Sequence, residues 1–496
     1  AGRAQGAAAD VLTVTAAMAG DPTLAKGAAQ RITDDGASPE RAVWDAAEAI
    51  AVQLEGLGGM MAERARDARD VRDRIVAALR GLPAPGVPDP GGPFVLTASD
   101  LAPADTATLD PAKVLAIVTA GGGPTSHTAI LARSLGIPAI VACAGATAIP
   151  DGTTVLVDGG EGTVDTAPSD ADVAAVAALA GVVRTFDGHG RTSDGHPVAL
   201  LANVADAQGA DAAVAAGAEG VGLFRTEFCF LGRGDEPSVD EQVAAYRTVL
   251  SRFPGRKVVV RTLDAGADKP LAYVTADDEP NPALGVRGLR TAVDHPDVLE
   301  RQLEAIAAAA AAEEADVWVM APMVATVAET EEFVERCAAH GLGTAGVMVE
   351  VPAAALQSEH ILAHAAFASI GTNDLTQYCM AADRETAALA GLSTGWQPAV
   401  LQLVAATCRG GAARSAPIGV CGEAAGDPAL AVVLVGLGVS SLSMTPRALA
   451  DVAAVLASVD RATCERLAHE ALAQPDAVAA RSVVRAGIPA LAELAL

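Results

Sequence analysis

The chain has 496 residues, of which 51% are hydrophobic and 19% charged, a composition typical of a protein with several packed domains and not of a disordered one. Its formal net charge of −27 excludes the basic surface that binding to nucleic acid or to an anionic membrane needs, so an anionic substrate must be held by a local group of cations. The seven cysteines form no C-x-x-C pair and no apolar run is long enough to cross a bilayer, so we expect a cytoplasmic protein with reduced thiols and no membrane insertion.

The chain opens with helical sequence. Apolar residues recur at helical spacing over 8–18, 39–57 and 60–82, which predicts an antiparallel helical subdomain over residues 1–84. Charges of both signs alternate over 63–74, a pattern typical of a solvated helix face. Because residue 1 is not methionine and no strand precedes the first helix, we expect that an N-terminal segment lies upstream.

A small β/α domain is predicted next, over residues 85–166, after a boundary rich in proline and glycine. Its apolar runs are short, alternate with turn signals, and fall at 94–97, 114–118, 139–141 and 154–157. A linker over 167–190 follows, with one helix predicted at 167–183, and a single-helix connection would let the β/α domain swivel.

The segment Gly121-Gly122-Gly123-Pro124-Thr125-Ser126-His127 joins a glycine-rich turn to the start of a predicted helix. Free backbone N–H groups and the helix dipole at such a position favour a bound anion. The same field disfavours the imidazolium form, so that a nucleophilic ring nitrogen is available near pH 7. His127 is therefore a candidate phosphohistidine.

From residue 191 to residue 496 the pattern changes to eight apolar runs separated by helical stretches, which predicts a closed parallel (β/α)8 barrel. The runs are 198–204, 220–225, 257–263, 317–323, 345–351, 366–373, 417–421 and 440–444. Charged and polar residues stand at their C-terminal ends, where barrel enzymes carry their active sites.

Cations in this region are numerous enough to clamp both a phosphate and a carboxylate. They are Arg225 and Arg261 at the ends of consecutive runs, and Lys269, Arg287 and Arg384 in later loops. Glu350 and Asp374 end two further neighbouring runs, and hard oxygen ligands of this kind suit Mg²⁺. A single such residue is more often a structural ion-pair partner, but their coincidence at strand ends predicts one site.

Several motifs occur together in one order, and with them the chain resembles enzyme I of the bacterial sugar phosphotransferase system from about residue 8 to the C-terminus. The motifs are Gly-Gly-x-x-Ser-His127-Thr, Gly220-Val-Gly-Leu-Phe-Arg-Thr-Glu-Phe228, Val-Met-Val-Glu350 and Ser-Ile-Gly-Thr-Asn-Asp-Leu-Thr-Gln-Tyr378. Shorter matches are Arg261-Thr-Leu-Asp264, Asp268-Lys269, Asn281-Pro282, Gly-Val-Arg287, Ala-Asp-Arg384 and Cys421-Gly-Glu423.

The resemblance implies transfer of the phosphoryl group of phosphoenolpyruvate to His127 and then to a histidine-containing phosphocarrier protein, with release of pyruvate. It implies that Glu350 and Asp374 hold Mg²⁺, that Cys421 protonates the enolate, and that the enzyme is a homodimer through its barrel. It also implies a substrate site made of Arg225, Arg261, Arg384 and Asn373, to which we add Asp374, Lys269 and Arg287 as candidates.

Three residues depart from the family pattern: Pro124 in the histidine loop, Ala267 and Val286. Other functions stay open on sequence alone. A nitrogen-regulatory paralogue would differ in a sensor domain upstream of residue 1. A phosphoenolpyruvate synthase-like enzyme would need a nucleotide-binding domain, for which this chain offers no candidate stretch. A catalytically silent binding protein on the same scaffold would not require all the charged residues at the strand ends.

Overall fold

The computed structural model describes residues 19–20, 22–57, 59–82, 86–88, 90–101, 105, 109–122, 128–129, 132, 135–159, 162–179, 184–231, 233–266, 271, 273–275, 279–383, 386, 389–494 and 496. The predicted helix over 8–18 and three candidate site residues, His127, Lys269 and Arg384, lie outside the described residues. None of the described helices combines the length and the apolar character that crossing a bilayer requires.

The chain divides into two compact units, Ala1–Ala175 with Arg384–Ala390, and Val176–Asp383 with Gly391–Leu496. In the first unit the described helices are α1 Pro22–Asp35, α2 Pro39–Leu57 and α3 Gly59–Leu79. The bounds of α2 are those predicted, α3 ends three residues before the predicted limit, and α1 was not predicted.

The alternating charges of α3 do not form the fully solvated face that the sequence indicated. Arg72 is only 8% exposed, its Nη1 lies 2.6 Å from Glu48 Oε2 on α2, and its guanidinium lies 3.6 Å from the centre of the Trp44 ring. Ion pairs and a cation–π contact therefore join α2 and α3, beside an apolar contact that includes Ala46 and Val71.

The small sheet of the first unit is parallel, with the order β1 Phe94–Ala98, β2 Val114–Thr119 and β3 Ala139–Ile140. A separate antiparallel pair consists of β4 Leu156–Asp158 and β5 Thr163–Asp165. The four predicted runs are confirmed as strands, whereas β5 was not predicted. Helix α4, Asp170–Leu179, begins three residues after the predicted start of the linker helix, and residues 180–183 of that prediction lie outside the described residues.

The second unit is a closed barrel of eight parallel strands, as the sequence predicted. They are β6 Ala199–Val204, β7 Val221–Arg225, β8 Lys257–Arg261, β9 Asp316–Ala321, β10 Ala345–Val349, β11 Ala368–Ile370, β12 Ile418–Val420 and β13 Ser441–Met444. Each strand pairs with its neighbour along the chain, and β13 closes on β6.

Helices cover the outside of this barrel. They are α5 Ala207–Ala215, α6 Val239–Leu250, α7 Pro296–Ala312, α8 Val327–Ala339, α9 Pro352–Leu356, α10 Ser358–Ile361, α11 Thr372–Met380, α12 Pro398–Arg414, α13 Pro428–Gly436, α14 Leu449–Leu456, α15 Arg461–Leu472, α16 Ala477–Ala486 and α17 Pro489–Leu494. Local signals set several of the starts: capping boxes of Ser238 with Glu241 and Thr326 with Glu329 begin α6 and α8, and proline begins α7, α9, α12 and α13.

Alternation along each strand separates the barrel interior from the outer layer. On β8, Val258 and Val260 join the core beneath the helices, whereas Val259 joins an interior cluster with Met320 and Met348. Lys257 and Arg261 have the same parity as Val259, so this strand carries a cation at each end on its inner face. The C-terminal end of β8 belongs to the candidate site.

Candidate active site

Arg261 is the buried cation at the C-terminal end of β8. Its Nη2 lies 2.6 Å from Glu227 Oε1 and its Nη1 lies 3.1 Å from Asp264 Oδ2. Burial by itself would lower the pKa of Arg261, but the two carboxylates outweigh burial and hold its pKa above the ordinary value. Its Nε is buried and has no hydrogen-bond partner among the described residues, so this donor is available to a ligand.

Arg287 is completely buried and joins two carboxylates. Its Nε and Nη2 donate to the two oxygens of Asp264 at 3.1 and 3.2 Å, and its Nη1 donates to Asp374 Oδ1 at 2.9 Å. These contacts fix the loop after β8 against the start of α11. The sequence suggested Arg287 as a substrate ligand, and that role stays a prediction.

Glu350 follows β10 and is 1% exposed. Its Oε1 accepts a hydrogen bond of 2.7 Å from the backbone N–H of Met323, a residue held in the left-handed region at φ 60°. Burial, and then the neighbouring Asp374 and Asp264, raise the pKa of Glu350 to about 8. A Cβ on Gly371 would lie 2.8 Å from Glu350 Oε2, so glycine is needed there for the carboxylate to fit.

Asp374 and Asn373 do not end a strand, which corrects the sequence prediction. Strand β11 stops at Ile370, and both residues lie in the first turn of α11. Asp374 is 6% exposed, and the Oδ1 of Asn373 accepts a hydrogen bond of 3.0 Å from the backbone N–H of Glu423. The helix start, not the strand, therefore brings these side chains to the mouth of the barrel.

Arg225 differs from Arg261 and Arg287, the other two described arginines of the site, because it makes no ion pair with a described residue. It ends β7 and pairs in register with Arg261 on β8, and its side chain reaches solvent. Desolvation by the surrounding protein, and then the positive charge of the Arg261 guanidinium, lower the pKa of Arg225. A second positive charge beside Arg261 that lacks its own carboxylate is an arrangement that favours a bound anion.

Cys421 follows β12 and is 2% exposed. Its thiol donates to the carbonyl oxygen of Ile370 at 3.7 Å and packs against the interior cluster that includes Phe367 and Met348. Burial raises the pKa of the Cys421 thiol to about 11, although a hydrogen bond from Ser369 and the charge of Arg261 act in the opposite direction. The thiol is thus fully protonated at neutral pH.

Two contacts of the site were missed by sequence reasoning. Glu227 is 6% exposed and accepts hydrogen bonds from Arg261 and, at 3.2 Å, from the backbone N–H of Asp264. Asn203 on β6 donates from Nδ2 to the carbonyl oxygen of Cys421 at 3.0 Å. The signal for Glu227 was present, since it lies within the motif that contains Arg225, whereas nothing in the sequence around Asn203 indicated its role.

The described side chains form no group of three histidine, cysteine or acidic residues that could enclose a metal ion. The buried carboxylates of Glu350 and Asp374 nevertheless lie close enough for the charge of Asp374 to raise the pKa of Glu350. Two neighbouring carboxylates of this kind are hard oxygen ligands that suit a divalent cation such as Mg²⁺.

Comparison with protein-family models agrees with this geometry. A model described as the phosphoenolpyruvate-binding domain of phosphoenolpyruvate-utilising enzymes matches residues 182–461. Models of the mobile domain and the N-terminal domain of the same enzymes match residues 91–162 and 1–64. Barrel and site therefore define a phosphoenolpyruvate-utilising enzyme.

Whole-chain relatives narrow this class. A phosphoenolpyruvate-protein phosphotransferase of Streptomyces coelicolor is 53% identical over 489 residues, which are 97% of this chain and 88% of that protein. Proteins of the same name from Haloferax volcanii and Staphylococcus carnosus are 41% and 36% identical, and each match covers 91% of this chain and 82% of the relative. The chain belongs to the phosphoenolpyruvate-protein phosphotransferase family, the enzyme I family, which confirms the resemblance drawn from its motifs.

Proposed function

We propose that this enzyme transfers the phosphoryl group of phosphoenolpyruvate to its own His127 and then to a histidine-containing phosphocarrier protein, as the first step of sugar uptake. The observation that carries the proposal is Arg225, a cation without a described partner beside the buried Arg261. Phosphoenolpyruvate carries a phosphate and a carboxylate, and such a pair of guanidinium groups on neighbouring strands suits a doubly anionic ligand.

Substrate would lie between these arginines and Asn373. Arg261 offers its Nε, Arg225 offers its whole guanidinium, and the Asn373 amide offers Nδ2 because Oδ1 is taken by Glu423. Arg384 and Lys269 are further proposed ligands on the strength of their motifs. Phosphoryl transfer is catalysed mainly by positioning of the substrate and neutralisation of its charge, and these donors supply both.

Glu350 and Asp374 would hold Mg²⁺ at this site. The fit is supported by their burial and by the raised pKa of Glu350, because neighbouring carboxylate oxygens are ligands that Mg²⁺ prefers. Bound there, the ion would neutralise phosphate charge. The Met323 N–H then fixes one oxygen of Glu350, and Arg287 fixes one oxygen of Asp374.

We further propose a homodimeric, cytoplasmic enzyme in which the histidine domain swivels on the 167–190 linker. Large apolar side chains are exposed in the segments after β7 and β8, where Phe228 is 61%, Leu284 69% and Val293 82% exposed. Exposed apolar surface of this kind supports association through the barrel. All seven cysteines are free thiols, which supports a reducing compartment.

The decisive experiment uses phosphoenolpyruvate labelled with ³²P. The wild-type protein is expected to take up an acid-labile, alkali-stable label, and His127→Ala is expected to take up none because the acceptor nitrogen is gone. His189→Ala, which removes an exposed histidine of the barrel unit, is the matched control and should label normally. Label retained by His127→Ala would refute the proposed function.

Cys421→Ser tests the proposed proton donor. We expect normal binding of phosphoenolpyruvate, a loss of turnover of about 100-fold or more and loss of stereospecific protonation, because a serine hydroxyl is a far weaker acid than a thiol. Cys408→Ser is the matched control, since Cys408 is also buried (6% exposed) but lies on α12. Steady-state kinetics and analysis of chirally labelled pyruvate give the measurements. Near-normal turnover with one-sided protonation would show that Cys421 only fills space.

A further inference from the structure

A second space lies in the barrel at the end opposite the candidate active site. It is a cavity of about 200 Å³ at the N-terminal ends of the strands, where it is lined by Ala199 and Lys257, the first residues of β6 and β8, and by Pro417, which precedes β12. At about 30 Å³ for each water molecule, it has room for about six waters or one small molecule. Arg261 lies four residues further along β8, about 13 Å away at the rise of a strand.

The cavity exists because small residues occupy inner positions that bulky branched side chains usually fill in such barrels. The small lining residues include Gly222, Gly419, Ser369, Ser441 and Ser443. A Cβ on Gly419 would lie 2.7 Å from Ser441 Oγ and 3.6 Å from Ser369 Oγ. Glycine at this position therefore allows two hydroxyl groups, from β11 and β13, to approach each other across β12.

Lys257 gives the cavity a positive charge. Its Nζ lies 3.6 Å from the centre of the Trp318 ring and 5.4 Å from that of Phe367, and no described carboxylate is within ion-pair distance of it. Asp316 is the acid whose charge acts on the pKa of Lys257, but its carboxylate accepts a hydrogen bond from Trp318 Nε1. Burial lowers the pKa of Lys257 to about 8 despite the opposing charge of Asp316, so the ammonium remains mostly protonated at neutral pH.

We propose that this cavity binds a small monocarboxylate anion, with its two oxygens facing the Lys257 ammonium and the hydroxyl group of Ser441. A partly buried ammonium gains most from a counter-anion when it has no carboxylate of its own. Leu201, Val259 and Phe367 line the same cavity and would contact a short apolar tail. The site does not depend on the phosphoryl transfer proposed above.

The test uses ¹⁹F NMR of the full chain labelled with 5-fluorotryptophan. The chain has three tryptophans, so Trp318 reports on the cavity while Trp44 and Trp396 serve as internal references, with assignment by Trp318→Phe. Acetate is titrated at pH 7 while a bulky sulfonate buffer salt keeps the ionic strength constant, and a separate titration uses chloride. We expect a saturable shift of the Trp318 signal with acetate.

Lys257→Met keeps the stem but removes the charge, and it is expected to weaken acetate binding about tenfold or more. Ser441→Ala is a smaller change that carries less risk of misfolding, and it should weaken acetate binding about threefold. Arg252→Met is the matched control, because Arg252 is a surface cation paired with Asp211, and it should leave the titration unchanged. Absence of a saturable shift, an equal affinity in Lys257→Met, or saturation by chloride but not by acetate would overturn the proposal.

Discussion

Arg287→Met is expected to lower the free energy of unfolding of the barrel by about 3–5 kcal/mol, because it removes a buried cation that donates hydrogen bonds to the buried carboxylates of Asp264 and Asp374. Methionine retains most of the volume, so the loss reports charge and not a cavity. The fully buried guanidinium makes three hydrogen bonds to these two acids. Urea denaturation followed by tryptophan fluorescence, at constant pH and without Mg²⁺, measures the change.

Arg225→Met is the matched control for this result. Arg225 also lies at the C-terminal end of the barrel but pairs with no described carboxylate, so its replacement should change stability by less than about 1 kcal/mol while it weakens binding of phosphoenolpyruvate. Combining Arg287→Met with Asp264→Asn should recover part of the lost stability, since one of the buried negative charges that Arg287 neutralised is removed. Equal stability of Arg287→Met and wild type would show that the acids do not need this cation.

Glu350→Gln is expected to reduce self-phosphorylation by about 10³-fold or more while the barrel stays folded, because the amide keeps the shape of the side chain but removes a proposed Mg²⁺ ligand. Glu335→Gln, on the exposed face of α8, is the matched control and should retain full activity. Initial rates of labelling at several Mg²⁺ concentrations measure the effect. Undiminished labelling that still depends on Mg²⁺ would contradict the assignment of Glu350.

The same variant has a defined pH signature in the metal-free protein. The pKa of Glu350 is raised from 4.5 to about 8 on folding, so between these values the folded state binds a proton that the unfolded state has lost. Stability contributed by this group therefore falls as pH rises from about 4.5 to about 8, by at most about 1.4 kcal/mol per pH unit. Glu350→Gln removes this contribution, and its stability relative to wild type should increase from pH 5 to pH 8. Parallel stability curves would show that Glu350 ionises normally.

The barrel could be predicted from sequence because its signal is periodic and repeated. Eight apolar runs with helical stretches between them fit few folds other than a closed parallel barrel. Each run contains or overlaps one observed strand. The run over 366–373 extends two residues before the strand and three residues after it, because the small residues Gly371 and Thr372 give no sequence signal that the strand has ended. That error placed Asp374 on a strand and not on α11.

The sequence predicted which residues gather at the site, but not which carboxylate pairs with which arginine. Arg225, Arg261 and Arg287 are the same residue type in similar surroundings along the chain, yet one is without a described partner, one shares its charge with Glu227 and Asp264, and one is fully buried between acids. These differences depend on which side chains fold over the strand ends, and a linear pattern does not contain that information. Arg72 shows the same limit in the helical unit, since its burial results from packing against α2.

Strand β8 contributes Arg261 to the candidate active site and Lys257 to the cavity at the opposite end of the barrel. This shared strand limits which insertions and deletions the gene can accept. Lys257 and Arg261 share one face of a five-residue strand, so inserting or deleting a single codon between them would turn one of the two outward whichever register the strand adopts. Conservative substitutions at Val258 or Val260, which are fully buried beneath the helices, change the packing but keep the register, whereas a change of length shifts the register. The segment is therefore expected to tolerate conservative substitutions better than insertions, and libraries of both kinds across residues 257–261 would test this directly.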